Sequence, residues 1–354
     1  MDAYTRLARH LDALPNGFPA TGSGIELRIL QRIFTPEEAE LAAQLRLTLE
    51  TPAQVAERIG GDARELRTRL KNMALRGLIE VEVSERGLRF GALPFVVGIY
   101  EYQVGSLDRE LAQLMEDYFK EGYGRELAIR PQIHRVIPVE ESVQAGIEIR
   151  PYESAAEMLT QAKAWGVLDC ICRKQKTLIG EPCPHPIDVC MAFSVTPNYF
   201  DQVPYIRSVT LEEARDVLHR ASEAGLVHSV SNRQQDVTYI CNCCTCSCGI
   251  LRGLSELGIA DAVARSAFVM RVHEDDCVGC DLCLERCQFK AMALDGVVHI
   301  DSVRCVGCGV CALACPEGAL VLARRDEAEG PPLDTGEWRR QRAAARGLDL
   351  DAVL

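Results

Sequence analysis

The chain has 354 residues, 47% of them hydrophobic and 25% charged, with a formal net charge of -12. That length leaves room for two or three domains, and the acidic balance argues against a general affinity for nucleic acid or membrane surfaces. No apolar run is long enough to span a bilayer, and the N-terminus lacks an apolar signal core and a twin-arginine pair, so a cytoplasmic location is expected.

Residues 1–24 read as an N-terminal helix and linker. In "TPEEAELAAQLRL", Thr35 is a candidate N-cap, Pro36 stands at the first helical position, and Glu38 completes a capping box. Thr51 and Pro52 repeat the device. The turn "GGD" at 60–62 leads into "ARELRTRLKNMALRGLI", and "EVEVSERGLRFGALPF" alternates like a hairpin turning near Glu85-Arg86-Gly87. Helix, helix, turn, helix and hairpin is the order of a winged helix-turn-helix, expected over 25–93. Arg64, Arg67, Arg69 and Lys71 give its third helix a basic face for DNA or for a partner protein. The segment 25–90 nevertheless carries eleven Lys/Arg against eleven Asp/Glu. DNA binders carry a net basic footprint, so protein docking is favoured over DNA.

Residues 94–265 are expected to form a mixed helical middle domain. "SLDRELAQLMEDYFKEG" (106–122) is an amphipathic helix with Leu107, Leu111, Leu114, Met115 and Tyr118 on one face, a core-packing pattern. "RPQIHRVIPVEES" reads as extended chain, and "ESAAEMLTQAKAWG" (153–166) as a helix leading to Cys170. "TLEEARDVLHRASEAGLVHSV" (210–230) opens on a capping box, Thr210 and Glu213, and ends at Gly225 in a strand.

All 17 cysteines lie at or beyond Cys170. In a reducing compartment they are poor candidates for a disulfide framework, and metal or redox chemistry becomes the default. Nine fall in the middle domain: Cys170, Cys172, Cys183 and Cys190, then Cys241, Cys243, Cys244, Cys246 and Cys248 within "CNCCTCSCG". They are candidates for a third metal site. An iron–sulfur cluster is favoured by context, zinc is the alternative, and redox-active thiols come third. Arg173 and Lys174 in "RKQK" stand where cations raise a cluster potential, or form a solvated basic loop. His185, between two prolines, has metal-ligating chemistry but reads more simply as a loop residue. "GILRGLSELGIADAVARSAF" (249–268) reads as a helix on Ile250, Leu251, Leu254 and Leu257, which puts the cysteine-rich loop at a helix N-terminus.

Two further runs follow. Cys277, Cys280, Cys283 and Cys287 are spaced x2-x2-x3, and so are Cys305, Cys308, Cys311 and Cys315, with Pro316 after the second. Each is the bacterial-ferredoxin signature of a [4Fe–4S] cluster, in which the fourth cysteine ligates the other cluster. Cluster I is therefore assigned to Cys277, Cys280, Cys283 and Cys315. Cluster II takes Cys305, Cys308, Cys311 and Cys287. The fourth cysteine of each run is expected to start a helix. Gly279, Gly307 and Gly309 admit close backbone approach. "AMALDGVVHID" (291–301) is a hairpin turning at Asp295-Gly296, and "ALVLA" (319–323) a closing strand. Residues 266–325 thus resemble a two-cluster bacterial-type ferredoxin domain, with Gln288 where that family often has proline. The tail 326–354 starts polar and Pro/Gly-rich and is expected to be mobile or partner-binding. The whole reads as α+β and multidomain.

The succession "CICRKQK", "CNCCTCSCG" with "LRGL", and two ferredoxin runs resembles a family of 4Fe–4S dicluster proteins of anaerobic bacteria, over roughly 25–325. In that family another cysteine often stands where this chain has Ser247, which implies that a sulfur there is not an essential ligand. No nucleotide-binding glycine motif, paired carboxylates or Ser/His arrangement stands out. The first functional reading is therefore an electron-transfer protein relaying electrons to or from a partner oxidoreductase. The alternative is a redox-sensing transcriptional regulator that uses the winged helix. A catalytic oxidoreductase subunit, with chemistry at the middle cysteines, is the weaker third.

Overall fold

The computed structural model describes residues 1–354 except 85, 86, 202 and 204. It is a mixed α+β structure with several sheets. The chain divides into two compact units. One comprises 1–130, 175–181 and 339–354; the other comprises 131–174 and 182–338.

In the first unit the helices Pro36–Ala42, Pro52–Ile59 and Ala63–Leu75 precede an antiparallel hairpin, Glu80–Ser84 with Gly87–Gly91. The turn expected near Glu85-Arg86-Gly87 falls partly on 85 and 86, outside the described residues. The capping box at Thr35 is formed: its hydroxyl accepts from the Glu38 amide at 3.2 Å, and the Glu38 carboxylate accepts from the Thr35 amide at 2.9 Å. Thr51 and Gln54 do the same. Such a box satisfies amide donors that a helix start leaves unpaired. Leu66, Leu70 and Met73 of the third helix are buried at helical spacing. The helix Arg109–Glu121 buries Leu111, Leu114, Met115 and Tyr118 as its pattern requires. The C-terminal residues, expected to start polar and then form a short helix, contain the helix Thr335–Arg346. Its Arg342 is fully buried and donates to the carbonyls of Pro15, Ile129 and Glu126. Three carbonyl acceptors satisfy a guanidinium that would otherwise be costly to bury.

The second unit is built on a six-stranded antiparallel sheet. Its strand order is His134–Val136, Val227–Ser231, Tyr239–Cys243, Cys190–Ser194, Ala164–Leu168 and Arg207–Val209. The helix Leu211–Glu223 starts at the expected Thr210 box, and Gly225 at φ +76° turns the chain into the next strand. The helix expected over 153–166 is shorter, Ala155–Gln161. Trp165 and its neighbours go into the strand Ala164–Leu168, where aromatic and β-branched residues pack well. The helix expected over 249–268 also stops early, at Ser255, and Leu257 is exposed. Gly258 at φ +67° follows, a conformation that ends a helix.

The same unit holds the segment with the two x2-x2-x3 cysteine runs. Strands Phe268–Val272 and Leu320–Arg324 pair antiparallel, and Met292–Asp295 pairs with Val297–Ile300 around Gly296 at φ +74°. The fourth cysteine of each run does not start a helix. Cys287 ends the short helix Leu282–Arg286, and Cys315 ends the turn Ala312–Ala314. The three-residue spacing is thus one helical turn leading up to the ligand, after which the chain leaves in extended form.

Candidate metal centres

The C-terminal thiols fall into two neighbourhoods. Cys277, Cys280, Cys283 and Cys315 line one cavity together with Gly279 and Pro316. The thiol of Cys283 is pushed up by burial and then by the charges of Cys280, Cys315 and Cys277. Burial drives Cys308 up to about 12, with Cys305 and Cys287 adding to the effect. Cys311 is likewise raised by burial, then by Cys308, Cys287 and Cys305, and more weakly by Cys283. Each neighbourhood therefore contains three cysteines of one run and the fourth of the other. Cys283 is the thiol of the first neighbourhood whose charge reaches Cys311.

The backbone here has no spare room. Gly307 has φ +72°, and a Cβ on it would lie 2.1 Å from the Phe268 carbonyl and 2.2 Å from the Ser266 hydroxyl. The Ser266 hydroxyl donates to the Gly307 carbonyl at 2.7 Å, and the Val139 amide to the Cys308 carbonyl at 2.9 Å. The Ala291 amide donates to the Cys287 sulfur at 3.4 Å. Soft thiolates in sets of four, with the Ala291 amide aimed at a sulfur, fit an iron–sulfur cluster.

The nine middle cysteines do not form one group. Six are neighbours in a closed order, each thiol shifted by the next: Cys170, Cys172, Cys248, Cys243, Cys241, Cys190 and back to Cys170. Strand alternation explains part of this: Cys241 and Cys243, two apart on Tyr239–Cys243, point to one face. Cys190 opens the neighbouring strand, Cys170 and Cys172 lie at the start of the helix Ile171–Leu178, and Cys248 caps Gly249–Ser255. Cys170 is held well below the usual thiol range by bonds from Cys172 and Cys190. Cys243 is drawn down to about 6 by Cys241 and Cys248. The two favoured thiolates stand at opposite points of the ring.

Between Cys241 and Cys243, the side chain of Asn242 takes the other face and is completely buried. Its Nδ2 donates to the Val189 carbonyl at 2.6 Å, and its Oδ1 meets His228 Nδ1 at 2.5 Å. His228 Nε2 continues to the Ser222 hydroxyl at 2.9 Å. This network fixes which side of the strand the thiols occupy. Arg173 is not part of a solvated loop: it is 2% exposed and donates to the Asn242 carbonyl at 2.8 Å. Burial opposes its charge, yet Cys170, Cys244, Cys243 and Cys190 hold the guanidinium above its ordinary value. Lys174 is half-buried.

The remaining three middle cysteines gather around His185. Cys183 Sγ lies 3.1 Å from His185 Nδ1, 3.6 Å from Cys244 Sγ and 3.1 Å from Cys246 Sγ, while Cys246 Sγ is 3.8 Å from His185 Nδ1. All four donor atoms lie within 4.8 Å of one another. Cys244 is pushed down to about 3, by Cys246 first and by His185 as well. His185 is raised in turn, by Cys244 above all. Gln288 steadies this loop. Its Oε1 accepts from the Thr245 amide at 2.7 Å and its Nε2 donates to the Gly225 carbonyl at 2.5 Å, so the departure from proline puts an anchor there. Sequence spacing had left His185 as a loop residue. Its one-residue offset from Cys183 is outside the two to four residues of common zinc knuckles, and only the fold brings it to Cys244 and Cys246.

Of the basic residues singled out, Arg64, Arg67 and Lys71 are exposed, and Arg69 is half-buried and donates to the Glu37 carbonyl at 3.1 Å. Among the described residues, no helix is long and apolar enough to cross a membrane.

Residues 297–320 match the family described as 4Fe-4S binding domain. The matched stretch contains Cys305, Cys308, Cys311 and Cys315, so the chain binds iron–sulfur through this domain. No curated protein and no solved structure matches the chain.

Proposed function

We propose that this chain is an iron–sulfur electron-transfer protein with two [4Fe–4S] clusters in its ferredoxin-like segment and a further cluster in the six-thiol ring. It exchanges electrons with a partner oxidoreductase. Cluster I is held by Cys277, Cys280, Cys283 and Cys315, and cluster II by Cys305, Cys308, Cys311 and Cys287. The observation that carries this reading is the crossed grouping of the thiols: Cys283 feels Cys315, while Cys308 and Cys311 feel Cys287. Bound clusters supply one-electron redox centres. The chain supplies the thiolates, a buried site and the polar groups around them. The Ala291 amide donates to the Cys287 sulfur, and Arg173 sets a buried positive charge beside the ring. Both features favour the more negative, reduced state. The ring has two thiols beyond the four that one cubane uses.

The test is iron and acid-labile sulfide per chain on anaerobically purified protein, with electron paramagnetic resonance after dithionite. Two cubanes bring about eight irons, and a filled ring raises this to about twelve or more. About four irons, or no reducible signal, overturns the reading. A regulator reading keeps one supporting observation, the exposed Arg64, Arg67 and Lys71 on the helix Ala63–Leu75. A sequence-specific gel shift abolished by Arg67→Ala would favour it over protein docking.

A further inference from the structure

We propose that Cys183, His185, Cys244 and Cys246 bind one zinc-class divalent ion, distinct from every iron–sulfur site, and that this ion is structural. The donor set is three sulfurs and one imidazole nitrogen, a composition of closed structural zinc sites. With Zn–S about 2.3 Å and Zn–N about 2.05 Å, the edges of a tetrahedron of three sulfurs and one nitrogen are about 3.6 to 3.8 Å. Of the separations, those of 3.6 and 3.8 Å match these edges, the two of 3.1 Å are about 0.5 Å shorter, and no pair exceeds 4.8 Å. Four donors this close fit one ion. A cubane holds its thiolates on four separate irons, and a two-iron cluster divides its ligands into two separated pairs; neither suits so tight a set. Protein atoms fill all four positions, so the site has no open place for substrate.

Position in the chain gives the ion its role. Cys244 and Cys246 interleave in sequence with Cys243 and Cys248 of the ring, and Cys183 lies between Cys172 and Cys190. The ion would tie 183–185 to 244–246 as a cross-link of its own, separate from the ring. Pro184 and Pro186 on either side of His185 restrict the backbone, and Gln288 holds Thr245 between the two cysteines. On binding, thiol protons pass to solvent and no electron is transferred.

The experiment is zinc content together with zinc-edge X-ray absorption on the full-length, anaerobically purified protein. About one zinc per chain is expected, with a shell of three sulfurs and one nitrogen. Cys246→Ser, at an exposed position, should lose most of the zinc and keep its iron. His185→Cys should keep the zinc and convert the shell to four sulfurs. The wild-type shell alone is decisive if a variant does not fold. Zinc far below one per chain, a wild-type shell without nitrogen, or zinc unchanged in Cys246→Ser overturns the proposal.

Discussion

Replacing Asn242 with leucine keeps the branched shape and the number of heavy atoms of the side chain and removes its polarity. The residue is fully buried, as is Val189, and His228 is 2% exposed. The substitution therefore leaves the Val189 carbonyl without the 2.6 Å amide donor and His228 Nδ1 without its 2.5 Å partner, both facing hydrocarbon. A buried polar group deprived of its partner costs about 1–3 kcal/mol. Two such groups give about 2–6 kcal/mol, and the gain from burying leucine in place of an amide offsets part of it. A net loss of about 3 kcal/mol is expected, read as a lower midpoint of guanidinium unfolding for the anaerobic holoprotein. The variant should also contain less iron, because Cys241 and Cys243 flank the altered position on the opposite face. A loss below about 1 kcal/mol with unchanged iron would refute the claim that this network fixes the register of the thiols.

Gly307→Ala should fail for steric reasons. The left-handed backbone costs a side chain about 1–2 kcal/mol, and the added Cβ would overlap the Phe268 carbonyl at 2.1 Å. Iron analysis should find roughly four fewer irons per chain, if cluster II is lost; full iron would contradict the close approach. Acid should weaken the second unit through His134. Burial, with Arg233 nearby, pushes this imidazole down to about 3. Its folded pKa lies below the unfolded value of about 6.5, so the unfolded chain takes up the proton first. Stability is complete above about pH 6.5 and is lost as pH falls toward 3, by about 2 kcal/mol at pH 5. His134→Gln should flatten that part of the stability profile, and an equal slope in both proteins would count against the assignment. Gln288→Ala removes the bond to the Thr245 amide and should speed hydrogen exchange at 244–246 while leaving the ferredoxin segment protected; equal exchange would remove Gln288 as an anchor.

The legible parts of the chain were those where spacing itself carries the chemistry. The run Cys305–Cys315 falls inside the matched 4Fe-4S binding domain, and the Thr35, Thr51 and Thr210 caps form as their residues dictate. The middle site was legible only as a pool of sulfurs. Its partition depends on which face of Tyr239–Cys243 meets Cys190, and that is decided by the burial of Asn242 and its contact with His228, a residue with no local signal. Arg173 was ambiguous for a similar reason: a basic tetrapeptide looks solvated until the acceptor at Asn242 and the neighbouring thiols are in place. The sequence pattern runs past the helix end because Leu257 keeps the helical period beyond Ser255, while Gly258 breaks it.

The division of the middle cysteines between the ring and the His185 site is tested by one comparison. Iron per chain is measured on anaerobically purified wild type, Cys190→Ser and Cys246→Ser, prepared side by side. Cys190→Ser, in the ring, should lose about four or more irons relative to wild type while Cys246→Ser keeps the full count. Equal iron loss in both variants, or no loss in Cys190→Ser, would contradict it.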